Sequence, residues 1–190
     1  MSILSNFYSN RFQGAITMSI DNIKEKIAAR VADEIKDGDL VGLGPGLPHL
    51  VENYLDKDNN LVFKEDDRVI INTADQYILV LGALQIDEEA NLSTSLESED
   101  QTATKLVTGA KKVIVATRHT TTEGKPKILR KCTLPLTVKG KIDLIITEMA
   151  VIEVKDKRLI LKEIANGFTV EDILRNTEAT IIISDNLKTD

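Results

Sequence analysis

Hydrophobic positions change their spacing several times along the chain, and each change predicts an element. Ile23, Ile27, Val31 and Ile35 recur at steps of four, which puts them on one face of a helix. Asp21 can cap the start of that helix, and Gly38 stands where it would end. Leu40 to Leu43 is a short apolar run, the pattern of a buried strand. It leads into Gly44-Pro45-Gly46-Leu47-Pro48 and a short second helix through Tyr54. Further strands are predicted at Leu61 to Lys64, Val69 to Thr73, Tyr77 to Ile86, Lys112 to Thr117 and Ile142 to Thr147, with a helical stretch from Thr102 to Gly109.

The C-terminal part has the clearest punctuation. Val151 to Val154 and Leu159 to Leu161 flank Asp156-Lys157, which predicts a hairpin. Thr169-Val170-Glu171-Asp172 resembles a capping box for a helix running to Asn176, and Ala179 to Ser184 is the last predicted strand. Strands alternate with helices, and runs such as Val113-Ile114-Val115 are apolar without a break. Both features predict an α/β fold: an open, mostly parallel sheet with helices on both faces. Met1 to Met18 reads as an irregular polar lead, and 19–190 as a single domain. Glu97 to Asp100 carries three acids in four residues and reads as a solvated loop.

Composition narrows the chemistry. The 190 residues are 42 % hydrophobic, enough for a full core, and 28 % charged, which argues against disorder. A net charge of −6 offers nucleic acid no basic footprint, and no apolar run is long enough to span a membrane. The single cysteine, Cys132, cannot form an internal disulfide, which suits a cytoplasmic protein. Cys132, His49 and His119 are far apart and lack CxxC or HxxxH spacing, so no metal site is expected. No G-x-S-x-G elbow is present.

Gly42-Leu43-Gly44-Pro45-Gly46 follows a strand and precedes a helix, the setting of a loop that cradles phosphate. The dinucleotide fingerprint G-x-G-x-x-G fails, because its third glycine would fall on Leu47 or His49. A tight strand-to-helix turn remains, in which backbone N–H groups can approach a ligand closely.

Leu43-Gly44-Pro45-Gly46-Leu47-Pro48-His49-Leu50-Val51, followed by Asn53-Tyr54, resembles the L-G-x-G-[IL]-P-x-L-V-x-N-[YF] segment of the β subunit of family I CoA-transferases. Ile78 to Ile86 is similar to that family's strand ending in L-G-A-[ML]-Q-V, and Thr108 to Val115 to its S-G-A-K-[KR]-V-[IV]-V. Lys131-Cys132-Thr133-Leu134-Pro135-Leu136-Thr137 keeps the K-C-T-L-P-L-T signature whole. His119-Thr120 matches the end of its E-H-T, with Arg118 in place of the glutamate. The likeness runs in order from about Ile23 to about Ser184.

That resemblance implies an activity: exchange of CoA between an acyl-CoA such as succinyl-CoA and a 3-oxoacid or short carboxylic acid. It implies coenzyme A as substrate rather than as resident cofactor, and an α subunit that shares the active site. The family's nucleophile is the glutamate of S-E-N-G, and Glu65 is the matching carboxylate. Gly44, Gly46 and Pro48 would shape the CoA site. Asp66 and Asp67 replace the Asn and Gly of that motif, and the stretch from Glu65 to Ile78 is shorter than in the family. Taken alone, Lys64-Glu65-Asp66-Asp67-Arg68 reads as an exposed turn. The alternative is thus a non-catalytic relative, a scaffold for an α subunit or an acyl-CoA sensor. Cys132 is expected to be a packing residue and His119 a structural histidine.

Overall fold

The computed structural model describes residues 20–56, 60–63, 76–94 and 106–189. The lead before Ile20, the strand predicted at 69–73, Glu65 and the acidic run 97–100 lie outside the described residues. Among the described residues, no helix is long and apolar enough to cross a membrane.

Among the described residues, eleven strands (β1 to β11) form two sheets. The larger holds β1 (Leu40–Leu43), β2 (Asn60–Phe63), β3 (Tyr77–Leu81), β6 (Ala110–Ala116), β8 (Leu144–Ile146), β9 (Ala150–Lys155), β10 (Arg158–Ile164) and β11 (Ile181–Thr189). Their order is β11-β10-β9-β8-β6-β3-β1-β2. The run β2-β1-β3-β6-β8 is parallel throughout, β9 is antiparallel to both neighbours, and β11 is parallel to β10. The smaller sheet has the order β5 (Leu92–Ser93), β4 (Gln85–Asp87), β7 (Ile128–Leu129).

Both faces of the large sheet are covered, so consecutive strand residues are buried on opposite sides. On one face Val41, Leu43, Ile78, Val80, Ile114 and Ile146 meet Ile27 and Val31 of helix α1 (Ile20–Ala32), together with a 3-10 helix over Leu47–Tyr54. On the other, Leu79, Val113, Val115, Ile145, Ile152 and Leu161 pack on Ile86 and Ile128 of the small sheet, on Val107 and on Ile173 of α2 (Val170–Arg175). Arg30 ties α1 to β10 by a two-point ion pair with Glu163, at 2.8 and 2.9 Å. The neighbouring carboxylate raises the Arg30 pKa further above its usual value.

Several predicted boundaries move. Helix α1 stops at Ala32, not near Gly38: the Glu34 and Ile35 N–H groups bond back three residues, and the Asp39 carboxylate holds the Lys36 N–H in a separate turn. The single strand predicted from Tyr77 to Ile86 is two strands, because the chain leaves the large sheet at Gly82 and joins the small one at Gln85. The last strand begins at Ile181 and runs to Thr189 beside β10. The hairpin matches its prediction, with Asp156 and Lys157 at φ 51° and 56°, the paired positive values of a type I′ turn. Thr169 and Asp172 form the capping box at the start of α2.

Candidate functional site

The parallel part of the sheet has a switch point. From β1 the chain adds β2 on one side and then β3 on the other, so the connections leave β1 and β3 in opposite directions. In open α/β sheets a crevice forms outside the carboxyl ends of the strands at such a point. A cleft of about 400 Å³ lies there, walled by Pro45 and Pro48 after β1, Gly82 and Leu84 after β3, and Thr117 and Arg118 after β6.

The loop after β1 is held closely. The Gly44 N–H donates to the Val80 carbonyl at 2.8 Å, and a Cβ on Gly44 would come within 3.2 Å of both that oxygen and a Leu81 methyl. Gly46 has φ 76°, a value that side chains disfavour. Pro48 is buried in the cleft wall opposite Gly82. Of the three loop residues singled out in the sequence, Pro48 lines the cleft, whereas Gly44 and Gly46 set the path of the turn.

Three cationic residues, Lys24, Arg118 and Lys127, line the same cleft. The Lys127 backbone is pinned twice, its N–H donating to His119 O at 3.1 Å and its carbonyl accepting from Ile86 N–H at 2.9 Å. Its ammonium donates to the Thr117 hydroxyl, which donates to the Ala83 carbonyl at 3.1 Å. Burial lowers the Lys127 pKa to about 8 against the pull of Glu148, and the Arg118 charge lowers it further. Burial raises the Glu148 pKa, opposed by the His119 N–H that its carboxylate accepts at 2.9 Å. Neither Lys127 nor Glu148 stood out in the sequence. The signal was position: Thr117 and Arg118 follow the carboxyl end of an apolar parallel strand.

His119 and Cys132 have structural surroundings. The His119 ring is fully buried between the hydroxyls of Thr147 (3.0 Å) and Thr177 (2.9 Å), and burial lowers its pKa to about 4. Cys132 is half-buried, and burial together with the Asp87 charge pushes its thiol up to about 12, far from a reactive thiolate. Among the described residues no group of His, Cys, Asp and Glu could hold a metal ion.

The sheet and its switch-point crevice define an α/β ligand-binding or enzyme subunit, a class that serves many reactions. Comparison with known proteins narrows this. Residues 64–176 match the family model described as Coenzyme A transferase. A probable coenzyme A transferase subunit beta of Bacillus subtilis is 37 % identical over 205 residues, covering 84 % of this chain and 94 % of the relative. The acetate CoA-transferase subunit beta of Haemophilus influenzae is 35 % identical, covering 88 % and 95 %. The chain therefore belongs to the coenzyme A transferase family and is β-subunit-like within it. The acyl-CoA transferase YdiF of Escherichia coli O157:H7, solved as a thioester complex with CoA, has the same fold at a TM-score of 0.70 and 20 % identity. That match takes in 88 % of this chain but only 43 % of the longer YdiF chain.

The Bacillus match spans 205 positions, more than the 190 residues present here, so part of that relative has no counterpart in this chain. Assignment of the shortening to the stretch after Glu65 stays an expectation from the sequence, since 64–75 lie outside the described residues.

Proposed function

We propose that this chain is the β subunit of a cytoplasmic CoA-transferase, with 19–190 as its single domain and Glu65 as its nucleophile. The observation that carries the proposal is the collinear likeness to β subunits over most of both chains, combined with a crevice at the sheet's switch point. Glu65 follows β2 by two positions, and β2 runs parallel to β1, so the end of β2 and the Gly44 to Pro48 loop lie at the same edge of the sheet.

In the proposed reaction the Glu65 carboxylate attacks the thioester carbonyl of an acyl-CoA. The thiolate of CoA leaves, giving a mixed anhydride between the donor acid and Glu65. That thiolate then attacks the glutamyl carbonyl, releasing the donor carboxylate and leaving a glutamyl-CoA thioester. An acceptor, a 3-oxoacid or short carboxylic acid, reverses the sequence and departs as its CoA ester. Each step passes through an oxyanion that nearby N–H donors must meet. The α subunit supplies the remainder of the site.

The test is to co-purify the chain with an α subunit, add succinyl-CoA or acetoacetyl-CoA, and record peptide masses. A CoA-sized adduct on the Glu65 peptide, lost with acceptor acid and absent from Glu65→Ala, is expected. A stable complex without adduct from either donor would replace this reading with the scaffold or sensor.

A further inference from the structure

The chain has a net charge of −6, yet the switch-point cleft is lined by Lys24, Arg118 and Lys127 and by no acidic residue among those described. The Arg118 Nε is buried and has no hydrogen-bond partner among the described residues. An unmet buried donor of this kind is costly, and native structures keep few of them. Beside it, the Lys127 ammonium has one hydrogen-bond acceptor among the described residues, the Thr117 hydroxyl, out of the three it can use. The one carboxylate that acts on both cations, Glu148, is already engaged by the His119 N–H. Two adjacent cations that line the cleft thus share one partly buried acid among the described residues.

We propose that Arg118 and Lys127 form an oxyanion subsite in this cleft, which takes a carboxylate or phosphate group of the bound substrate. Guanidinium and ammonium donors to such a group make charge-assisted hydrogen bonds, and the half-desolvated cleft strengthens them. The ends of β2 and β6 are separated by β1 and β3, three strand spacings or roughly 14 Å. With Glu65 as the nucleophile two residues after β2 in the sequence, as proposed above, an oxyanion at Arg118 is taken as distinct from the reacting acyl carbon. It is a second anionic group of the same substrate, either a phosphate of CoA or the far carboxylate of a long dicarboxylic acid. That assignment of the occupant rests on the transferase reading; the anion site itself does not.

Titration of the full-length chain with inorganic phosphate, adipate and acetate, followed by amide chemical shifts at pH 7, tests the subsite. Phosphate or adipate is expected to shift Thr117, Arg118 and Lys127 saturably, at least about tenfold more tightly than acetate. Arg118→Gln is expected to weaken that binding about tenfold or more, with an unfolding midpoint no lower than that of the wild type. Should Arg118→Gln fail to fold, Lys127→Gln is expected to weaken the binding by the same factor, with an unfolding midpoint no lower than that of the wild type. Tighter phosphate binding assigns the site to CoA, and tighter adipate binding assigns it to the acid. Absence of saturable shifts at these residues, or undiminished binding in a folded variant, overturns the proposal. Anion binding without a CoA adduct on Glu65 would instead discard the transferase reading and leave the subsite standing.

Discussion

The Asp87 carboxylate accepts the backbone N–H of Cys132 at 3.1 Å, joining two sequence motifs that lie 45 residues apart. The same carboxylate takes the N–H groups of Glu89 and Asn91 and the Asn91 side-chain amide, so one buried acid fixes both a tight turn and the K-C-T-L-P-L-T segment. Gln85 adds to this clamp by accepting the N–H groups of Thr133 and Leu134.

Asp87→Ala leaves those donors unmet and is expected to cost about 3 kcal/mol of stability. Asp87→Asn keeps an acceptor oxygen and should lose less. Urea unfolding of the two variants beside the wild type measures the difference.

Acid should loosen the protein through His119. Its pKa is about 4 in the folded state against 6.5 for the free side chain, so the unfolded chain binds the proton first as pH falls. Stability from this group is present above 6.5 and is lost down to pH 4, by about 3 kcal/mol in all. Urea midpoints between pH 7 and 4 should fall less steeply for His119→Gln.

The opposite window belongs to Lys127. Its folded pKa of about 8 lies below the ordinary 10.5, so the unfolded chain holds more protons between those values and stability rises with pH across them. Arg118, Glu148 and the Thr117 hydroxyl are the groups that face it. Lys127→Met removes a desolvated charge and is expected to gain about 2 kcal/mol at pH 7. The wild-type curve should approach that of the variant as pH rises toward 10.5. A matching loss of oxyanion binding would show that the lysine is kept for function at the expense of stability.

Gly44→Ala should disturb the crevice directly. Its methyl would meet the Val80 carbonyl and a Leu81 methyl at 3.2 Å, and the carbonyl belongs to a strand that cannot move alone. A loss of about 1–3 kcal/mol is expected. Gly46→Ala meets no neighbour and is penalised only by its backbone, φ 76° with ψ −123°, at about 1–3 kcal/mol. Thermal unfolding of the two variants separates crowding from backbone strain.

Local pattern was enough where an element depends on its own residues. Val113-Ile114-Val115 reads as a strand buried on both faces, and it is one; Asp156-Lys157 and the Thr169 to Asp172 cap carry their conformations in a few side chains. Legibility failed where the deciding partner is distant. The apolar run from Tyr77 to Ile86 hides the break at Gly82, because Gln85 and Asp87 are drawn to a segment about Cys132 that periodicity does not reveal. The crevice was half visible: the Gly44 to Pro48 turn announces itself, whereas Lys127 becomes a site residue only when its segment folds back beside Thr117. Glu65 is proposed from likeness alone, since five consecutive charges otherwise describe a surface turn.

The strand order also sets a timetable for synthesis. β1 lies inside the sheet, yet both its neighbours are made after it, so Val41 and Leu43 leave the ribosome with no strand to pair with. At 5–20 residues per second the wait for β3 is on the order of seconds, and Lys127 arrives later still. The nascent chain thus carries an open apolar edge where the switch-point cleft will stand, and chaperone capture should concentrate there.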